Sequence, residues 1–322
     1  MQDFQGKIAV VTGGGTGMGR ELVCQLVAAG AHVAMCDVSA ENMQETVALA
    51  ELADGQRLTQ HLCDVASEQQ MLNFRDEVAA QHETDCIHLL FNNAGIGGGG
   101  GFVEGDREHW ERVFGVCWYG VYYGCRAFMD MLVASDAAHV INTSSVNGFW
   151  ASIGMQTPHT SYAAAKFAVK GFTEALITDL RLHAPHVKVS LVMPGHIGTS
   201  IAINSRQVLQ GGEIDASEVA DIRARLQAEG HPVDNVPDEH IMEMMRQRAE
   251  DFRDLAPTTA ASAAKVILDG VQAGQWRILI GDDAHALDRM VRENPEIAYE
   301  QEFFDKMQSE GVLVSLVGNA QQ

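Results

Sequence analysis

Tyr162 and Lys166 stand four residues apart in SYAAAKFAVKGFTEALITDL, with three alanines between them. On a helix that spacing puts both side chains on one face, a turn apart, and the alanines leave the face uncrowded. A free phenol titrates near ~10 and is a poor base at neutral pH, but a neighbouring ammonium favours the phenolate. Such a pair can pass a proton to and from a bound oxygen. The same spacing also occurs in helices that only pack and solvate, so its meaning depends on whether the chain supplies a cofactor pocket and a partner group.

A pocket is written near the start. Lys7 to Val11 is a short β-branched run, as in a strand buried on both faces, and it runs into TGGGTGMGRELVCQLVAAG. Glycines there let backbone N–H groups and a helix N-terminus approach a diphosphate. The next strand, over 32–36, ends at Asp37, where an acid suits a ribose 2′-hydroxyl and repels a 2′-phosphate. Neither Val38 nor Ser39 supplies a cation for that phosphate, which predicts NAD over NADP. Glycines alone would be weak; strand, loop, helix, strand and acid in order are strong.

The elements that must position these groups alternate along the chain. The pattern predicts helices over 40–53 and from Ser67, a helix N-cap; strands over 58–63 and 87–91, the latter followed by Asn92-Asn93-Ala94-Gly95; and a flexible loop at 97–101. A long aromatic-bearing helix spans 106–134, a strand over 139–143 leads to Ser144-Ser145, the Tyr162 helix runs to 183, and a strand over 187–193 is broken by Pro194-Gly195. The fold class expected is α/β: a doubly wound, mostly parallel Rossmann sheet of about seven strands with helices on both faces. The region 200–257 is polar and helical and is read as an insertion over the substrate side, because a helix capped at Thr258-Thr259 and a strand over 277–280 follow it. The segment 283–322 is read as a C-terminal helical extension split at Pro295, so that 1–322 forms one Rossmann-type domain. The methionines of IMEMMRQRAEDF suit ordinary packing or a substrate surface.

Composition narrows the partners. The chain has 322 residues, 46% hydrophobic, with 43 acidic and 22 basic side chains for a net charge of −21. So acidic a surface repels nucleic acid and anionic membranes and suits solubility. Six scattered cysteines read as reduced thiols, the thirteen histidines show no metal spacing, and no metal site is expected. MQDFQGK does not read as a signal peptide and no run is long enough to span a bilayer, so a cytoplasmic protein is expected.

Together Thr12-Gly13, Gly17 and Gly19, Asp64-Val65, Asn92 to Gly95, Ser145, Tyr162 with Lys166, and Pro194-Gly195 with Thr199 resemble the short-chain dehydrogenase/reductase family, over about 5–282. Glycines spaced four then two are similar to its smaller members. The resemblance implies that Gly13, Gly17 and Met18 border a cofactor diphosphate, Asp37 binds the adenosine ribose, Asp64 and Val65 contact adenine, and Asn93, Ala94 and Gly95 floor the adenosine side. It implies Tyr162 as general acid/base, Lys166 lowering the phenol pKa and holding the nicotinamide ribose, and Ser145 (with Ser144 as fallback) on the substrate oxygen. Pro194, Gly195, Ile197 and Thr199 would seat the nicotinamide. The implied activity is hydride transfer between NAD and a secondary alcohol or ketone, in a homodimer or homotetramer that pairs the helices over 106–134 and 158–183.

Two departures stand out. Where the family usually has an asparagine, in a Val-Asn-Leu context, this chain has Val116-Cys117-Trp118. A cysteine keeps the main-chain carbonyl of the family's proton relay but not the amide side chain, which implies either a weakened relay or a member that binds NAD without turnover. Ser145 and Tyr162 are also separated by more residues than usual, the excess falling in FWASIGMQTPHT. Phe149, Trp150, Ile153 and Met155 could make an apolar substrate wall there, implying a bulky substrate, or the loop could pack only on its own protein. The alternatives to an enzyme are a non-catalytic NAD-binding regulator and an interaction module that uses the segment after Asp283.

Overall fold

The computed structural model describes residues 3–98, 100–155, 157–212, 214, 216–228 and 230–313. Seven parallel strands form the central sheet: β1 (Ile8–Thr12), β2 (His32–Asp37), β3 (Leu58–Leu62), β4 (Leu89–Asn92), β5 (Ala138–Thr143), β6 (Val187–Pro194) and, after a two-residue ladder described below, β9 (Arg277–Ile280). Their order is β3-β2-β1-β4-β5-β6-β9, so the chain reverses direction across the sheet between β1 and β4. In such sheets the crevice at the carboxyl ends beside that switch is where a ligand sits.

Helices cover both faces, which is why β1, β4 and β5 are buried at nearly every position. On one face lie α1 (Gly17–Ala28), α2 (Ala40–Leu49) and α10 (Ala260–Gln272), closing a core around Leu22, Leu26, Phe91 and Ile267. On the other lie α3 (Glu68–His82), α4 (Arg107–Phe114), α5 (Gly120–Val133) and α6 (Thr160–His183), over Phe74, Leu90, Phe128 and Val169. Side-chain caps start several of them: Ser39 accepts from Asn42 N, Ser67 from Gln70 N, and Thr259 from Ser262 N.

Three details differ from the pattern in the sequence. The helix after β2 stops at Leu49, because Ala50 is already extended (ψ 123°) and Gln56 folds back to accept from Ala53 N. Periodicity continued through Ala53, but no main-chain carbonyl partner did. The strand read from Ile87 starts at Leu89, since Ile87 N bonds to Met131 O and not to a neighbouring strand. The helix expected over 106–134 is interrupted by a π-helical turn, Gly115–Tyr119, with Cys117 inside it. The wider turn bends the helix at that point.

Beyond β6, Ile197–Gly198 (β7) pairs with Thr258–Thr259 (β8), and this ladder closes the base of the region between them. That region holds α7 (Ile201–Gln210), α8 (Ala216–Ala228) and α9 (Asp238–Asp254), with a small core of Ile214, Val219, Ile222, Leu226 and Ile241. The methionine patch goes largely into this packing: Met242, Met244 and Met245 lie against it. After β9 come α11 (Asp282–Glu293) and α12 (Gln301–Ser309), separated by a short turn at Pro295–Ile297. The rest of the extension read from the sequence, 314–322, lies outside the described residues.

Candidate active site

The glycine loop leaves β1 and enters α1 at Gly17, whose φ of +54° a side chain would strain. A Cβ on Gly19 would collide with the Gly13 carbonyl, so helix and loop approach closely only because Gly19 has none. Thr12 Oγ1 accepts from Asn93 N and Ala94 N, both at 3.0 Å, which locks the 92–95 turn beside the loop. Asn93 Nδ2 donates to Thr12 O at 3.1 Å, while Asn93 Oδ1 is buried and has no partner among the described residues.

At the end of β2 the Asp37 carboxylate accepts from Gly15 N and from Ser39 N, each at 3.0 Å. A carboxylate has about four acceptor positions, so it keeps capacity for ribose hydroxyls. The nearby Arg20 is committed elsewhere, to Gly15 O, Thr46 Oγ1, Asn42 O and Glu45. Asp64 accepts from Ala66 N on one oxygen and from Arg112, at 2.6 Å, on the other.

These groups border one groove of about 250 Å³, which contains Gly13, Gly17, Met18, Asp37, Asp64, Val65, Asn93, Ala94, Gly95 and Thr199 of the expected site. An orphaned acceptor at Asn93, a glycine-opened helix start and a carboxylate with spare acceptors fit a dinucleotide. Ser145, Tyr162, Lys166, Pro194, Gly195 and Ile197 do not line it. Residues that the motifs do not announce also line it, among them Arg112 from α4 and Ile201, Asn204 and Gln207 from α7. Asn204 Nδ2 donates to Thr16 Oγ1 at 3.0 Å, so α7 lies across the glycine loop. Nothing in the polar sequence around Asn204 marks this, because the contact spans 188 positions.

The second cluster adjoins the groove at Gly95, where a Cβ would lie 3.6 Å from Lys166 Nζ and 3.8 Å from Cys117 Sγ. The two serines after β5 divide. Ser144 Oγ donates to Lys166 O at 2.7 Å and is spent on structure. Ser145 Oγ accepts from Asn147 N at 3.1 Å and is not spent on the Lys166 carbonyl. That favours the second serine over the first. Burial pushes the Tyr162 phenol up, reinforced by Cys117 and opposed by the neighbouring Ser145 hydroxyl. Burial likewise lowers Lys166, which is 2% exposed and donates to Thr143 O at 2.9 Å. Its Nζ lies 5.4 Å from the Tyr162 ring centre. In this arrangement, then, burial of the phenol outweighs any pull from Lys166. Cys117 is fully buried and its thiol donates to Ile96 O at 3.2 Å, an inert packing role.

The Pro194-Gly195 turn is held from the far side. Gly195 N donates to Ile280 O at 3.0 Å and His196 N to Asp283 Oδ2 at 2.7 Å. The Asp283 carboxylate takes the space a side chain at Gly195 would need. Of this turn's expected residues only Thr199 reaches the groove, touching the Cβ position of Gly17.

The glycine run expected to be a free loop is tied at its described residues. Gly97 N donates to Ser205 Oγ at 2.7 Å, while Gly98 O accepts from Ser161 Oγ and Gly100 O from Thr160. It bridges α7 to the start of α6; Gly99 lies outside the described residues. Trp150 is not part of an apolar substrate wall: fully buried, it packs with Phe303 and Phe304 of α12. Phe149 joins the same cluster, whereas Met155 is exposed. In their place the His159 ring packs against Tyr162 at a tilt, ring centres 4.8 Å apart, and burial lowers it to about 4.

A family model described as short chain dehydrogenase matches residues 7–210. A Mycobacterium tuberculosis protein named as an oxidoreductase, SadH, is 35% identical over 293 residues, covering 91% of this chain and 92% of its own. The 3-alpha-(or 20-beta)-hydroxysteroid dehydrogenase of the same organism is 34% identical over 194 residues, 60% of this chain and 70% of that one. The crystal structure of a short-chain dehydrogenase/reductase from Burkholderia phymatum in complex with NAD superposes with a TM-score of 0.74 at 29% identity, covering 92% of this chain and 96% of that one. The chain belongs to the short-chain dehydrogenase/reductase family, and it is an oxidoreductase of that family. Among the described residues no helix is long and apolar enough to cross a membrane.

Proposed function

We propose that this protein transfers a hydride between NAD and a fairly bulky, apolar secondary alcohol or ketone, with Tyr162 as general acid/base. The observation that carries the reading is that Lys166 Nζ lies 5.4 Å from the Tyr162 ring centre and beside Gly95, which lines the dinucleotide groove. Because Ser145 Oγ already accepts from Asn147 N, its own proton is free to be donated to a substrate oxygen. Tyr162 exchanges the proton of that oxygen, and Lys166, its ammonium weakened by burial, supplies or removes the next one. The nicotinamide, when bound, accepts or returns the carbinol hydride. Asp37, with spare acceptor capacity and no free cation beside it, supports NAD over NADP.

The hydroxysteroid dehydrogenase among its relatives supports a bulky, apolar substrate. Within this reading the chain works as one Rossmann-type domain, with 200–257 over the substrate side. It assembles through the π turn, α5 and α6, where Tyr119, Tyr122 and Phe167 are exposed. Its free thiols suit the cytoplasm. The test is NADH absorbance with NAD and a panel of steroid, terpenoid, cyclic and aryl alcohols: turnover that vanishes in Tyr162→Phe is expected, and silence across the panel with tight NAD binding overturns it. That silence is the outcome of a second reading, an NAD-binding protein without turnover, which Cys117 and the Lys166–Thr143 hydrogen bond favour.

A further inference from the structure

The serine that faces Tyr162 is not held by its own strand alone. Immediately after it the chain makes a tight turn, Val146–Gly148, in which Gly148 N bonds to Ser145 O and Trp150 N to Val146 O. The Asn147 side chain folds the following residues back, donating to Trp150 O at 3.0 Å and Ser152 O at 2.7 Å. The Asn147 main-chain N–H is the one that Ser145 Oγ accepts. One end of this turn is β5. The other is fastened to the C-terminal helices: Trp150 Nε1 donates to Ala298 O at 2.7 Å, and Ala151 N to the Tyr299 hydroxyl at 3.1 Å. The Trp150 ring is 0% exposed, enclosed by Phe303, Phe304, Leu287 and Met290.

We infer that α11, α12 and the turn between them form a clamp that sets the direction of the Ser145 hydroxyl, with Trp150 and Tyr299 as positioning residues; this rests on the proposed role of Ser145. A hydroxyl has one proton and two lone pairs, so where it accepts determines where it can donate. If the 147–151 turn shifts, Asn147 N leaves Ser145 Oγ and the serine proton is no longer aimed. Small misplacements of this kind cost rate more than binding. The clamp also accounts for two features that the dinucleotide groove leaves unexplained: the chain beyond β9, and the extra residues between Ser145 and Tyr162.

The test is a double-mutant cycle with hydrogen exchange. Trp150→Phe keeps an aromatic ring and removes the indole N–H. It is expected to lower kcat about tenfold with the KM for NAD within about twofold of wild type. In a Ser145→Ala background the same change is expected to lower kcat less than about twofold, because the group it positions is gone. Equal losses in both backgrounds, or none in either, overturn the clamp. Tyr299→Phe removes only a half-exposed hydroxyl; it takes the same cycle if Trp150→Phe does not fold. Amide exchange over 145–152 reads the clamp without turnover. Faster exchange there in either variant, with the β1–α1 peptide unchanged, supports it, and unchanged exchange overturns it. A wild type silent toward all alcohols would therefore sink the proposed function while exchange still decides the clamp.

Discussion

At the dinucleotide groove the polar contacts are largely main chain: Gly15 and Ser39 amides on Asp37, and Asn93 and Ala94 amides on Thr12. At the reacting corner they are buried or half-buried side chains brought from the end of β5, α6 and the π turn: Ser145, Tyr162, Lys166 and Cys117. Main-chain donors need only the right backbone path, so a short motif can specify them. Buried titratable side chains are controlled by everything packed around them. The groove is thus robust to its surroundings, whereas the corner is tuned by them.

Four changes sharpen or break that contrast. The largest effect is expected from Tyr162→Phe, which removes the proposed proton carrier and should cut kcat on the order of 10³-fold while NAD binding, read by fluorescence titration, changes little. A parallel loss of NAD binding would mean that groove and corner are not separable. Next, Asp37→Ala removes the anion at the ribose end and should shift the NAD/NADP ratio of kcat/KM toward NADP by about tenfold or more, since an ionic hydrogen bond is worth ~1.5–3 kcal/mol. An unmoved ratio would contradict the ribose assignment.

Third is a pH effect on folding. His82 (about 4) and His139 (about 3) are lowered by burial, and both lie away from the site. Their folded pKa values fall below the unfolded value, so each contributes stability that is complete above the unfolded pKa and declines as pH falls toward the folded one. Chemical denaturation should therefore show stability dropping below ~6.5, by about 1.4 kcal/mol per pH unit for each histidine that only the unfolded chain protonates. His139→Gln should flatten that slope; an unchanged slope would refute the assignment. Fourth and smallest, Cys117→Asn restores the family's usual residue in a fully buried position. Turnover should hold or rise by a few-fold, while overpacking costs ~1–3 kcal/mol of stability. A large loss of turnover would rule out the weakened relay.

The elements were legible to different degrees for related reasons. The first strands and the glycine loop follow from apolar runs and small residues within a few positions of one another, so β1, α1 and β2 could be read almost residue by residue. The α2 end and the β4 start depended on where one carbonyl or amide found its partner, which periodicity does not encode. Trp150 was legible only as a large apolar residue after a serine. Whether it faced substrate or protein depended on a segment 148 residues further along the chain.

By itself the sequence determined the family and the strand–glycine loop–helix start of the fold, and it singled out the Tyr162–Lys166 pair, because each is carried by residue type at short spacing. Only the tertiary structure decided how those groups are set. It laid α7 across the glycine loop, gave Ser144 to the Lys166 carbonyl and turned Ser145 Oγ toward Asn147 N, placed Cys117 in a π turn, and fastened the serine turn to the C-terminal helices. The physical reason is common to all of these. Hydrogen-bond direction and burial are properties of groups that meet in space, and here they meet from positions far apart in the chain.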